Sequence, residues 1–129
     1  MSESDRPIRA AVLTVSDRCS RGTVTDTSGP ALAEMLRARL GAEVIEARCL
    51  PDEQDQLAAC FVSWSSLERG IDLILSTGGT GLAPRDVTPE AARSVIEREH
   101  PGLMELARLR CMTKPPRTFL SRGVAGTIG

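Results

Sequence analysis

Residues 8–16 read Ile8-Arg9-Ala10-Ala11-Val12-Leu13-Thr14-Val15-Ser16, a nearly continuous apolar run that ends on a hydroxyl. A strand with one wet face alternates apolar and polar residues; a strand covered on both faces does not. The run therefore predicts a strand inside a parallel sheet, with helices packed above and below it. Ile71–Ser76 (IDLILS) repeats the pattern, and Glu43–Leu50 reads as a second, less apolar strand between the two.

Helical patterns separate the strands. Ala31–Leu40 carries Leu32, Met35, Leu36 and Leu40 at helical spacing, with Asp26, Thr27 and Ser28 as N-cap candidates, Pro30 in the first turn and Gly41 as the stop. Asp52 can cap a second helix running to about Arg69, whose inner stripe is Leu57, Phe61, Trp64 and Leu67, ended by Gly70. Thr88 as N-cap and Pro89 at the first helical position open a third, to about Arg98. Pro101 starts a short helix through about Met112, Pro115-Pro116 breaks it, and Thr118–Leu120 begins a fourth strand. Strands alternating with helices define a three-layer α/β/α fold around a mostly parallel, doubly wound sheet with right-handed crossovers. Such sheets bind ligands at the carboxyl ends of their strands. Three polar clusters fall at those ends: Ser16-Asp17-Arg18, Pro51-Asp52-Glu53 and Thr77 through Asp86.

Composition narrows the function. A chain of 129 residues suits one domain. The net charge is −1, and the 16 basic residues, only Lys114 a lysine, form no block, which argues against nucleic acid as a partner. Cys19, Cys49, Cys60 and Cys111 make no C-x-x-C pair, so they read as buried free thiols rather than a zinc or redox site. No signal peptide and no apolar run near the ~18 residues of a membrane span occurs, so a cytoplasmic protein without membrane contact is expected. His100 is the single histidine, which leaves no Ser-His-Asp arrangement to build.

The chemistry concentrates in Thr77-Gly78-Gly79-Thr80-Gly81. Its glycines permit positive φ and close backbone approach, and consecutive exposed N–H groups there can form an anion-binding concavity. The spacing is neither a P-loop nor G-x-G-x-x-G, and a simple tight loop is an equal reading. Asp86 in the same loop and Asp52 at the neighbouring strand end supply carboxylates near such a cradle, a pattern that suits Mg²⁺. Asp86 also reads as an ion-pair partner of Arg85, and Asp52 as a plain helix cap. Ser16, Asp17 and Arg18 suit a polar or anionic ligand, although Asp17 can equally pair with Arg18 or Arg21.

Ser76–Ala91 (STGGTGLAPRDVTPEA) resembles the signature of the MogA/MoaB family of molybdenum-cofactor biosynthesis proteins, which includes plant and gephyrin G domains. Val15-Ser16-Asp17-Arg18, Asp26, Gly29-Pro30-Ala31-Leu32, Leu50-Pro51-Asp52-Glu53, Pro101-Gly102 and Leu120 through Gly126 are similar to its other segments in the same order. The resemblance implies a molybdopterin-binding domain over 1–129 that lacks the family's C-terminal strand, N-L-P-G-like loop and final helix. It implies Mg-ATP-dependent adenylylation of molybdopterin with release of pyrophosphate, and delivery of the product to a molybdate-insertion (MoeA-like) protein. It implies catalytic, Mg²⁺-holding roles for Asp52 and Asp86, and binding of molybdopterin or nucleotide by Ser16, Asp17, Thr77, Gly78, Gly79, Thr80, Gly81, Arg85 and Ser121. It further implies a homotrimer or hexamer. A MoaB-like paralogue or scaffold domain that binds molybdopterin with little turnover is the alternative, and the presence of both acids favours the enzyme. Nucleotidyl transfer agrees with these residues, because it needs positioning and charge neutralisation more than a protein nucleophile.

Overall fold

A computed structural model describes residues 5–111 and 119–129. Its centre is β1, Arg9–Val15, with β2, Glu43–Leu50, parallel on one side and β3, Leu73–Thr77, parallel on the other. Val12 lies level with Ala47 of β2 and Leu75 of β3. Every residue of β1 from Ala10 to Val15 is buried, which is why its sequence does not alternate.

Alternate residues of β1 serve opposite faces. Ala10 and Val12 pack with Ala33 and Leu36 of α2, Ser28–Leu40. Ala11, Leu13 and Val15 pack with Leu57, Phe61 and Trp64 of α3, Gln54–Trp64, and with Ala91 of α4, Thr88–Val95. The α/β layering is therefore the expected one, and the exits of all three strands share one edge.

Several boundaries differ from the sequence expectation. α3 stops at Trp64, where the Ser65 hydroxyl donates to the Phe61 carbonyl (2.5 Å); Leu67 sits on a separate 3₁₀ turn and is 98% exposed instead of core. On α2 the sheet-facing line is Gly29, Ala33 and Leu36, so Met35 and Leu40 are exposed. α4 ends at Val95, not Arg98, because Arg98–Glu99 (β4) pairs antiparallel with Gly126–Thr127 (β5). α5 is Pro101–Arg110. Phe119 and Leu120 lie in a helical turn and not in a strand, while Met112, Pro115, Pro116 and Thr118 lie outside the described residues. A one-turn helix unforeseen in the sequence, α1 (Asp17–Ser20), follows β1. Only Cys60 of the four free thiols is buried; Cys19, Cys49 and Cys111 are half-buried. No helix among the described residues is long and apolar enough to cross a membrane. Beside the outer edge of β3 runs an open groove of about 770 Å³, bounded by α5 and the segment after Ser121.

The start of α2 is held by a residue outside it. Thr27 occupies the N-cap position without a capping bond; Asp26 instead accepts from Gly29 N (3.0 Å) and from the Thr14 hydroxyl (2.8 Å). A Cβ on Gly29 would stand 2.5 Å from both side chains, so glycine is required for this approach. Asp26→Ala removes the cap and strands a buried Thr14 hydroxyl, and is expected to cost about 1–3 kcal/mol in urea unfolding, whereas Asp26→Asn keeps most of the stability.

Candidate functional site

The strand exits are tied to one another by polar contacts. Ser16 N donates to Leu50 O (2.9 Å), joining the ends of β1 and β2. Asp17 N donates to Asp52 Oδ2 and Asp52 N donates to Asp17 Oδ1, each at 3.0 Å. Asp52 thus caps α1 and not α3, whose N-cap position is Glu53. Ser16, expected at the ligand, uses its Oγ to accept from Cys19 N (3.2 Å) as the N-cap of α1. A serine at a strand exit has the hydroxyl that a helix N-cap requires.

Arg85 crosses from the glycine-rich loop. Its Nε and Nη2 donate to the two carboxylate oxygens of Asp17 (2.7 and 3.0 Å), and Nη2 also reaches Glu53 Oε1 (2.9 Å). The partner of Arg85 is therefore not Asp86, and that of Asp17 is neither Arg18 nor Arg21. The guanidinium, followed by the Asp52 N–H, holds the Asp17 carboxyl down at about 2. Asp17 and Glu53 in turn push Arg85 up.

Asp52 shifts the other way. Burial raises its pKa first, and the charges of Asp17 and Asp86 raise it further against the Asp17 N–H. Asp86 accepts from Ala83 N (3.0 Å) through Oδ2 and donates from its own N to Ala83 O (2.9 Å). The two acids flank the loop: Asp52 Oδ1 lies 3.1 Å from a Cβ placed on Gly79, and Asp86 Oδ2 lies 2.8 Å from one placed on Gly81.

These opposite shifts carry opposite signs in pH. Asp17 stabilises the fold above its ordinary 3.8, and that contribution fades as pH falls toward about 2. Asp52, raised above 3.8, contributes when protonated, and its contribution is lost as pH rises through its folded value. Carboxyl-detected NMR is expected to show Asp17 titrating at about 2 and moving up toward 3.8 in Arg85→Met. An unmoved Asp17 would show that Arg85 does not hold it.

The carbonyls of the loop are engaged from outside it by Thr88 and Arg122. Gly78 and Gly79 have φ of 97° and 68°, and a Cβ on either would strike the Val15 carbonyl or the Thr88 hydroxyl. Thr88, expected as an N-cap, instead donates its hydroxyl to Gly78 O (3.0 Å) and its N–H to Gly79 O (3.1 Å). Arg122 donates from N to Thr80 O (2.7 Å) and from Nε to Gly81 O (2.9 Å). Four successive carbonyls, from residue 78 to residue 81, are thereby engaged. In a trans peptide the N–H points opposite to its C=O, so the N–H groups of Gly79, Thr80, Gly81 and Leu82 face away from those donors. None of them has a hydrogen-bond partner among the described residues. Such a row of N–H groups can bind an anion.

Ser121 joins this loop from far along the chain, its hydroxyl donating to Thr80 Oγ1 (3.1 Å). Thr77 ends β3 level with Thr14. Three residues enter the site through contacts that only the fold reveals: Glu53, which shares Arg85; Arg122; and Glu90, which accepts from Arg122 Nη1 at 2.6 Å. Arg122 adjoins Ser121 in the chain, but only the fold shows what it touches.

A doubly wound sheet with a glycine-rich loop at its carboxyl edge defines a class of ligand-binding α/β domain. Residues 11–127 match the family described as "Probable molybdopterin binding domain". The chain is 41% identical over 128 residues to molybdenum cofactor biosynthesis protein B of Staphylococcus aureus, covering 96% of this chain and 73% of that protein. It is 38% identical over 122 residues to the molybdenum cofactor synthesis protein cinnamon of Drosophila melanogaster, covering 95% of this chain and 20% of that one. The crystal structure of the molybdopterin biosynthesis enzyme MoaB from Thermus thermophilus superposes with a TM-score of 0.86 at 48% identity, over 95% of this chain and 76% of that one. The chain belongs to the molybdopterin-binding domain family of molybdenum-cofactor biosynthesis proteins, and it spans about a fifth of the length of cinnamon.

Proposed function

We propose that this chain binds molybdopterin and transfers an adenylyl group from Mg-ATP to its terminal phosphate, releasing pyrophosphate. The observation that carries the reading is the row of four unpartnered N–H groups from Gly79 to Leu82, flanked by Asp52 and Asp86. Phosphate oxygens accept from those N–H groups. A phosphate oxygen of molybdopterin attacks the α-phosphorus of ATP, and the bond from that phosphorus to pyrophosphate breaks. The loop's contribution is orientation and fixed dipoles toward the charge that develops.

Mg²⁺ fits the donors in a specific way. Among the described residues no group of three or more His, Cys, Asp or Glu is arranged to hold a metal. Two carboxylates beside a phosphate cradle, Asp52 raised in pKa first by burial and further by the charges of Asp17 and Asp86, suit an ion that takes its remaining ligands from phosphate and water. Asp52 and Asp86 would hold it, and its chemistry there is neutralisation of phosphate charge. Arg85, engaged by Asp17 and Glu53, orders the loop and binds phosphate only by exchanging those partners. Ser121 sets the Thr80 hydroxyl. The product passes to a MoeA-like molybdate-insertion protein, and the working assembly is a trimer or hexamer.

A MoaB-like role with binding and little turnover is the second reading; the 48% identity to the Thermus MoaB supports kinship with MoaB and leaves turnover to the assay. The deciding assay incubates this chain with molybdopterin and Mg-ATP labelled at the α-phosphorus. Adenylylated molybdopterin with equimolar pyrophosphate is expected. Binding without pyrophosphate selects the second reading, and neither binding nor turnover ends both.

A further inference from the structure

We infer that Arg122 is a positioning residue that aims the N–H groups of Gly81 and Leu82 at the phosphate site, an inference that rests on the phosphate-binding reading above. Its three guanidinium nitrogens go to three different places. Nε donates to Gly81 O (2.9 Å), Nη2 to Asp86 O (2.7 Å) and Nη1 to Glu90 Oε1 (2.6 Å). Its backbone N donates to Thr80 O (2.7 Å).

Each contact fixes one peptide plane. The bond from Arg122 N to Thr80 O orients the peptide that carries the Gly81 N–H. The bond from Nε to Gly81 O orients the peptide that carries the Leu82 N–H. The bond from Nη2 to Asp86 O ties down the far end of the same loop, beside the Asp86 carboxylate. One planar group therefore spans residues 81 and 86 and sets the opening between them. Glu90 on α4 locks the plane through a charge-assisted contact in which its Oε1 accepts from Arg122 Nη1. A lysine cannot reproduce this, because a single ammonium has no rigid fork to hold two carbonyls and a carboxylate together.

Arg122→Lys tests the inference with two independent readouts. In the unliganded chain, the hydrogen-bonded amides of Ala83, Asp86 and Thr88 are expected to exchange at least ~10-fold faster, while those of β1 and β2 keep their wild-type rates. In the adenylylation assay kcat is expected to fall ~100-fold with KM for ATP changed less than ~3-fold, as befits groups misaimed in the transition state. A merely structural role would instead speed exchange throughout the sheet and lower the melting temperature. Glu90→Gln, which keeps Arg122 but loosens its plane, serves if the lysine variant does not fold, and is expected to show the same pattern more weakly. Unchanged exchange of Ala83, Asp86 and Thr88 in both variants overturns the inference, as does wild-type kcat with a loosened loop. If the wild-type chain does not adenylylate, the functional reading falls alone. Inorganic pyrophosphate titrated against the loop amides then decides Arg122: at least ~10-fold weaker binding in Arg122→Lys upholds its role, and equal affinity ends it.

Discussion

An Asp86→Asn chain is expected to fold as the wild type does and to lose adenylylation by ~10³-fold, the scale of removing a charge-stabilising group from a preorganised site. The fold survives because Asn keeps an oxygen to accept from Ala83 N, and the Asp86 N–H to Ala83 O is unaffected. What vanishes is a negative charge beside the loop. Asp52 senses that charge, since Asp86 is among the causes that raise its pKa. The Asp52 carboxyl is therefore expected to titrate lower in Asp86→Asn, which checks the placement of the two acids without any substrate. The kinetic measurement is pyrophosphate release under saturating ATP, paired with a thermal melt. Normal release from a fully folded Asp86→Asn chain would remove Asp86 from the mechanism.

The fold was legible where one face of an element dominates its composition. β1 announces burial on both sides because Ala10 through Val15 contains no charged residue, and the structure buries every one of them. Trp64 and Leu57 were placed correctly in the core for the same reason. α2 was harder. Leu36 and Met35 are adjacent, both apolar, and 100° apart on a helix; periodicity cannot choose between neighbouring stripes when small residues such as Gly29 and Ala33 make the closer contact. The short helix α1 was invisible because four residues carry too little pattern, and its cap comes from Ser16, a residue that also suits a ligand.

In the candidate site, residue types were readable and pairings were not. The two acids, the glycines and Arg85 all stand out as chemistry at strand ends. Which acid meets Arg85 depends on a contact 68 residues away in the chain, so its adjacent Asp86 was a natural but mistaken partner. Thr88 looked like a helix cap because Thr-Pro commonly opens helices; here its hydroxyl is drawn to the Gly78 carbonyl by the turn of the loop. Arg122 shows the limit most plainly. It stands beside Ser121 in a segment that the sequence marks out, but its contacts with both ends of the loop are visible only in the fold.

Gly79→Ala is expected to destabilise the chain by about 2–5 kcal/mol. Two causes add. With φ at 68°, any side chain there adopts the left-handed region, at about 1–2 kcal/mol for a non-glycine residue. The new Cβ would also collide with the Thr88 hydroxyl and stand 3.1 Å from both Asp52 Oδ1 and Val15 Cγ1. Val15 and Thr88 are buried and cannot withdraw into solvent, so overpacking of about 1–3 kcal/mol follows. Gly41→Ala isolates the first cause. Gly41 has φ 61° but nothing within 4 Å of its Cβ, so it is expected to lose only about 1–2 kcal/mol. Urea midpoints of the two variants, at unchanged slope, measure the difference directly. Equal losses would mean that the loop does not pack against Thr88 and Asp52 as described. A larger loss in Gly79→Ala carries a functional consequence: relief of the collision requires the peptides on either side of residue 79 to rotate. The N–H groups of Gly79 and Thr80 then leave the row, and pyrophosphate binding fails with them.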